Sequence, residues 1–394
     1  MSEREQLSCY RSPRGTVALA WPGDLDALLA EWHALREVMC RTLPAAFTRD
    51  EWAYLVAFAE RDQLEGVLVR AFGERVADAG APDWVVRPRG RVAVWLPNNV
   101  SLLGPLLVIL LSLTGNEVAL KSGSSADDLT AAFLAFARQH AVAGGALGAA
   151  LERIGQHAFD HDDPRQAVLA AGARVRIVFG TSAAADAVHG LAHPTESSGF
   201  SFVERHSEAW IEVGAGNATT VDTLIKVFAI YGQAGCTSPR RVVLLDGEVE
   251  QAHALRARLA ERWRQVVRRD LPVHLASANV MARQLAAARG WDAVLVERHA
   301  AVLAVGGAEL APIEEPMTLL LSWAKLEQAV ARLPAHTQTV GYALAEGQRR
   351  PRWLPALYRS PVRRVVPLGQ MHHFGAVWDG AEYWSSCFEW LEVR

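Results

Sequence analysis

Apolar positions recur every three to four residues along two early stretches, 25–41 and 51–72, and that period predicts amphipathic helices. Thr48 and Asp50 stand where the second helix would be capped. From about residue 90 the pattern shortens. Segments 91–96 (RVAVWL), 118–121 and 174–179 (RVRIVF) are short runs of strand-forming residues. Each leads through a turn into a helical stretch. Pro97-Asn98-Asn99 precedes the apolar run 100–113, and the polar turn 122–125 precedes a helix running to His140. Ser124 and Asp127 would cap that helix. Gly180-Thr181-Ser182 precedes a third helix. Three strand–turn–helix repeats predict a parallel sheet with right-handed crossovers, whose ligands sit at the strand carboxyl ends.

A second α/β block follows. Segment 209–213 reads as a strand and 221–231 as a helix that delivers Gly232-Gln233-Ala234-Gly235-Cys236. Strands are expected at 241–245, 293–296, 301–305 and 317–321, with a charged amphipathic helix over 250–269. Segment 141–150 (AVAGGALGAA) suits a loop or a tightly packed helix.

The run 100–113 invites comparison with a membrane span. It is too short and holds Ser101, Gly104, Pro105 and Ser112, where a span needs about 20 apolar residues. A buried core helix is expected instead. The chain's 394 residues suggest two or three domains at about 150 residues each. Apolar residues make up 51% and charged residues 21%, the balance of a globular protein. A net charge of −3 gives no electrostatic case for nucleic acid or an anionic membrane as partner.

Four cysteines, Cys9, Cys40, Cys236 and Cys387, form no C-x-x-C pair, and their scarcity fits a reducing compartment. The first 15 residues lack the apolar core of a secretion signal, so a cytoplasmic location is expected. His372 and His373 are adjacent without a third ligand, so no metal site is expected.

Cys236 stands apart from the other cysteines. Its context, GQAGCTSPRR, places small residues before the thiol, where a backbone can approach a ligand closely. The stretch IYGQAGCTSPRRVVL (230–244) resembles the active-site segment of the bacterial long-chain acyl-CoA reductases of the luminescence fatty-acid reductase complex, within the aldehyde dehydrogenase superfamily. Gln233, Cys236, Ser238 and Pro239 match that family's Q-x-x-C-x-S-P. Four further segments agree in order: LPNNVS (96–101), GNEVALKSGSS (115–125), VFGTS (178–182) and the tail VRRVVPLGQMHHFGAVWDGAEYWSSCFEWLEV.

The resemblance implies an aldehyde dehydrogenase-like α/β fold, with a dinucleotide-binding parallel-sheet domain over 1–205 that includes the helical amino-terminal part. A catalytic cysteine domain would cover 206–345, and a segment 346–394 would pack back. It implies NADPH-dependent reduction of an acyl thioester, from acyl-CoA or an acyl-carrier protein, to an aldehyde through a thioester on Cys236. A thiolate suits both steps, first as nucleophile and then as leaving group. Asn99 and the Cys236 N–H would hold the oxyanion. His336, in a segment similar to G-H-T-A-S-V, would protonate the departing thiol.

Lys121 matches the lysine that approaches the adenine ribose. The superfamily's ribose-binding acid maps to Ser124, so Lys121, Ser122 and Ser124 would accept a 2′-phosphate, which favours NADPH. Gly180, Thr181 and Ser182 would lie near the pyrophosphate. EEPMTLL (314–320) resembles the segment whose glutamate holds the nicotinamide ribose, through Glu314 or Glu315.

The superfamily's water-activating glutamate is missing, because strand alignment puts Phe202 or Val203 at its place. That absence favours thioester transfer over hydrolysis, with Glu204 as an alternative acid/base. Two rival readings are oxidation of an aldehyde and a non-catalytic acyl-binding partner subunit. The basic residues Arg349, Arg350 and Arg352 would suit an acidic carrier protein. Relatives of this kind form dimers or tetramers, so a homo-oligomer is expected.

Overall fold

The computed structural model describes residues 8–77, 81–123, 129–229, 233, 235–267, 273–297, 299–307, 315, 317–345 and 354–393. The chain forms two compact units, Met1–Val203 with Phe374–Arg394, and Glu204–His373.

The first unit begins with a hairpin, β1 (Ser8–Ser12) and β2 (Gly15–Leu19). The helices α1 (Leu25–Met39), α2 (Arg49–Phe58) and α3 (Arg61–Phe72) follow. Thr48 caps α2 in a reciprocal box with Glu51. The single helix expected over 51–72 is two. The buried positions are Trp52, Leu55, Ala59, Leu64, Leu68 and Phe72. Between Ala59 and Leu64 the stripe advances by five, more than one helical turn accommodates, so the chain breaks at an extended Glu60.

After β3 (Glu74–Val76) and β4 (Trp84–Pro88) comes the parallel sheet. Its elements are β5 (Arg91–Trp95), α4 (Leu103–Ser112), β6 (Glu117–Lys121), α5 (Leu129–His140), α6 (Ala146–Glu152) and β7 (Ile154–His157). Then come α7 (Arg165–Ala171), β8 (Val175–Phe179), α8 (Ser182–His189) and β9 (Ser198–Phe202). The strand order is β7-β6-β5-β8-β9, all parallel. The order reverses between β5 and β8, the switch point where such sheets take ligands at their carboxyl ends. Every residue of α4 is buried, and no helix of the described residues is long and apolar enough to cross a membrane.

The second unit holds β10 (His206–Glu212), α9 (Ala218–Ala229), β11 (Pro239–Leu245), α10 (Val249–Val266), α11 (Val273–Ala288) and β12 (Asp292–Val296). It continues with β13 (Ala301–Val305), β14 (Thr318–Ala324), α12 (Leu326–Ala331), β15 (Thr337–Ala343), α13 (Leu354–Leu357) and β16 (Arg364–Pro367). Its sheet runs β12-β13-β14-β11-β10-β15-β16, with only β12 antiparallel to its neighbour. Alternate strand residues feed two cores. Ala209, Ile211, Val242 and Leu244 pack with α9 and α10, while Trp210, Val243 and Leu245 pack with α12.

The chain ends in β17 (Phe388–Glu392), which pairs antiparallel with β4 and completes a first-unit sheet of order β17-β4-β2-β1-β3.

Candidate active site

Cys236 lies three residues before β11, at the amino edge of the second unit's sheet, and is half-buried. Its turn is held by hydrogen bonds that come from distant strands. Ser238 N–H donates to the Gly235 carbonyl at 2.9 Å, closing the turn itself. The Ser207 hydroxyl, on β10, donates to the Cys236 carbonyl at 2.7 Å.

Gln233 is buried, with a left-handed φ of 61° that a non-glycine residue adopts at a cost of about 1–3 kcal/mol. Its side-chain amide offsets that cost by acting as a backbone group. Nε2 donates to the Thr318 carbonyl at 2.9 Å and to the Pro239 carbonyl at 3.3 Å. Oε1 accepts from Thr318 N–H at 3.1 Å. Gly232 and Ala234, which gave the motif its small-residue character, lie outside the described residues.

One partner of this turn was not legible as such in the sequence. The Thr237 hydroxyl lies 2.7 Å from Nδ1 of His372, and His372 Nε2 lies 2.7 Å from the Val227 carbonyl. A carbonyl only accepts, so Nε2 carries the proton and Nδ1 accepts from Thr237. Burial pushes the His372 imidazole down to about 4, with the charges of Arg364 and His373 acting in the same direction. The doublet His372-His373 was weighed as metal ligands only. Its signal was the register of the tail, which no local pattern gives. Among the described residues no group of three or more His, Cys, Asp or Glu could hold a metal.

His336 is exposed in the turn before β15, and its carbonyl accepts from the His206 N–H at 3.1 Å. Glu204 is exposed two residues before β10. Cys236, His336 and Glu204 thus share the amino edge of β11, β15 and β10. The other carboxylates of this region are committed. Glu208 is buried against Arg241 and accepts from Trp210 Nε1 at 3.0 Å; burial raises its carboxyl above the ordinary range, against the pull of the guanidinium. Glu212, at the opposite end of β10, accepts from Ala345 N–H at 3.1 Å. Glu315 is ion-paired with Arg289 at 3.0 Å, and Glu314 lies outside the described residues.

In the first unit, Lys121 ends β6, and Asn99, Ser122, Gly180, Thr181 and Ser182 follow the carboxyl ends of β5, β6 and β8. Asn99 is exposed in the bend after β5. Gly123 is required there, since a Cβ would strike Oδ1 of Asn98 and come within 3.0 Å of the Pro97 carbonyl.

Lys121 is 6% exposed, with Nζ 5.6 Å from the centre of the Phe159 ring. Burial lowers its ammonium from the usual range, partly opposed by Asp160. It makes no ion pair within 4.0 Å among the described residues. Ala119, two residues earlier on the same face, packs with α7 and α8. Ser122 accepts from Gln156 Nε2 at 2.8 Å, and Ser124 lies outside the described residues. Thr181 caps α8, its hydroxyl accepting from Ala184 N–H at 3.1 Å. The amides of Ser182 and Ala183 have no intrahelical acceptor, as in the first turn of any helix.

A family model, acyl-CoA reductase (LuxC), matches residues 27–384. No curated protein matches the sequence. Solved structures match over nearly the whole chain. Aldehyde dehydrogenase from Bartonella henselae superposes with a TM-score of 0.63 at 14% identity, covering 95% of this chain and 88% of that one. Succinic semialdehyde dehydrogenase from Streptococcus pyogenes, solved in complex with NADP+ as the cofactor, gives 0.68 at 10% identity, covering 94% and 91%. Lactaldehyde dehydrogenase from Escherichia coli gives 0.62 at 14% identity, covering 94% and 85%. The fold is that of the aldehyde dehydrogenases.

Proposed function

Since the chain belongs to the acyl-CoA reductase (LuxC) family and is an aldehyde-forming acyl reductase, we propose that it reduces an acyl thioester, of coenzyme A or an acyl-carrier protein, through a covalent thioester on Cys236. The observation that carries this reading is the Cys236 turn, a half-buried cysteine whose backbone carbonyl is held by Ser207, with Gln233 tying the preceding backbone to Thr318. The other cysteines lack such a setting. Cys9 lies in β1, Cys40 ends α1, and Cys387 is fully buried.

The Cys236 thiolate attacks the thioester carbonyl, forming a carbon–sulfur bond. The oxyanion of the tetrahedral species is stabilised by the Cys236 N–H and the Asn99 amide, a donor of this kind contributing about 10²–10³ in rate. Collapse breaks the bond to the departing thiol, and His336 supplies its proton. A nicotinamide bound in the first unit would supply the hydride, which would replace the Cys236 sulfur on the acyl carbon, give the aldehyde and return the Cys236 thiolate. Water competes poorly for the acyl-enzyme, because an apolar residue, Phe202 or Val203, stands where the water-activating glutamate would be, while Glu208 and Glu212 are engaged elsewhere. Glu204, exposed at that edge, is the alternative acid/base.

The residues after β5, β6 and β8 fit a dinucleotide. A buried ammonium with no carboxylate within ion-pair distance among the described residues suits a ribose phosphate, which supports NADPH as the cofactor. Lys121 and Ser122 would hold the adenine ribose, with Ser124 beside them. The α8 amino terminus, Gly180 to Ser182, would face the pyrophosphate, and Glu315 the nicotinamide ribose.

The test is intact mass after mixing the protein with a panel of acyl-CoAs without NADPH, beside Cys236→Ala. An acyl-sized gain in the wild type that vanishes in the variant is expected. A gain that persists in the variant would overturn the assignment. An absence of gain with every acyl-CoA and with acyl-carrier protein would overturn the covalent thioester route.

A further inference from the structure

The segment that carries His372 is fixed from behind. Arg364, on β16, donates to the Met371 carbonyl at 3.1 Å and to the His373 carbonyl at 3.0 Å, bracketing His372. Met371 is fully buried, its thioether lying over Gly341 of β15 where a Cβ would collide with it. His373 N–H donates to the Gln370 carbonyl at 3.1 Å, which closes the turn. The backbone on either side of His372 is therefore fixed before its ring makes a contact.

The ring then joins two things that the sequence holds far apart. Its Nε2–H reaches Val227, in the last turn of α9, where a helix leaves carbonyls without N–H partners. Its Nδ1 takes the Thr237 proton, which holds Thr237 in a single rotamer one residue beyond the thiol. Thr237 is itself buried, so the hydrogen bond is shielded from water and costly to leave unmade. Ser207 and Gln233 fix the turn from the sheet side, and His372 fixes it from the helix side.

We propose that His372 is a positioning residue for the nucleophile: through Thr237 it holds the thiol of Cys236 in its attacking orientation against the end of α9. The proposal rests on Cys236 as the nucleophile and adds to it the device that aims the thiol.

The experiment compares the wild type with Thr237→Val, Thr237→Ser, His372→Gln and the double variant Thr237→Val/His372→Gln. Alkylation of the Cys236 peptide by iodoacetamide is followed by mass spectrometry. Acyl-adduct formation from an acyl-CoA, kcat and KM are measured beside it. Thr237→Val keeps the shape of the side chain and replaces the hydroxyl with a methyl, so the hydrogen bond to His372 is lost. It is expected to slow alkylation and acylation by about tenfold to a hundredfold, the scale of a small misplacement of a reacting group. The loss falls on kcat and leaves the KM for NADPH unchanged. Thr237→Ser restores most of the rate. The double variant is no slower than the slower single variant, because both break one strap.

A Thr237→Val protein with unchanged melting temperature and rates within about twofold of wild type would overturn the proposal. So would additive losses in the double variant. Should His372→Gln fail to fold, the threonine pair still decides. If wild-type Cys236 is alkylated but never acylated, the thioester reading fails. The alkylation rates would still test the strap.

Discussion

At the scale of single residues, environment separates groups of the same type. Burial pushes the Cys387 thiol up to about 12, while Cys40 is exposed. The folded protein is therefore expected to be alkylated at Cys40 and spared at Cys387, as peptide mass mapping would show. His372 gives a pH signature. Its folded value of about 4 lies below the ordinary 6.5, so the unfolded chain binds more protons between those values. Stability is unaffected above pH 6.5 and falls as the pH drops through that window, by about 3 kcal/mol in all. The charges of Arg364 and His373 deepen the effect, and the hydrogen bond to the Val227 carbonyl opposes it. Denaturant midpoints should fall less steeply between pH 6.5 and 4 for His372→Gln than for wild type.

Arg241 tests the opposite case, a charge whose partner is buried. Arg241→Met would leave Glu208 buried and unpaired, at a cost of about 3–5 kcal/mol that chemical denaturation would read. Cys236 was legible from its neighbours because nucleophile chemistry demands a local motif. His372 was not, because its partner Thr237 stands 135 residues away.

At the scale of elements, strands with continuous apolar runs were readable and others were not. β5, β6 and β8 are buried nearly throughout and appeared where expected. β7 has one fully buried residue, Ile154, and a glycine next to it, so the edge strand carries no alternating signal. Helix α4 was legible as a core helix from its length and its interrupting polar residues. Gly104 within it shows a constraint that periodicity omits: a Cβ there would overlap the Thr130 hydroxyl of α5. Gly104→Ala is expected to destabilise the protein by about 1–3 kcal/mol despite improving helix propensity, and calorimetry would show the lowered melting temperature. The carboxyl end of β6 is where cofactor choice would be set. Lys121→Ala is expected to weaken NADPH binding by about 1.5–3 kcal/mol and NADH binding by less, as fluorescence titration of the two would measure.

At the scale of the whole molecule, the fold class was legible from the repetition of strand, turn and helix. A tail that packs back was expected, but its closing of the first unit's sheet was not legible, since β17 pairs with a strand about three hundred residues earlier. That tail is structural. Trp384 is fully buried and donates to the Leu110 carbonyl at 2.8 Å, and the Cys387 carbonyl accepts from Asn116 and Arg89. Truncation after His373 would expose β4 and remove Tyr383, Trp384 and Phe388 from the core, several kcal/mol of apolar burial at about 1.5–3 kcal/mol each. Such a protein is expected to be insoluble or open to protease within its first two hundred residues.

The same discontinuity orders events on the ribosome. Glu204–His373 is one continuous segment and is complete as soon as it has emerged. The first unit emerges earlier, yet waits with an unfinished sheet until β17 is translated. Of the two units, the one whose larger part is translated first is thus completed last.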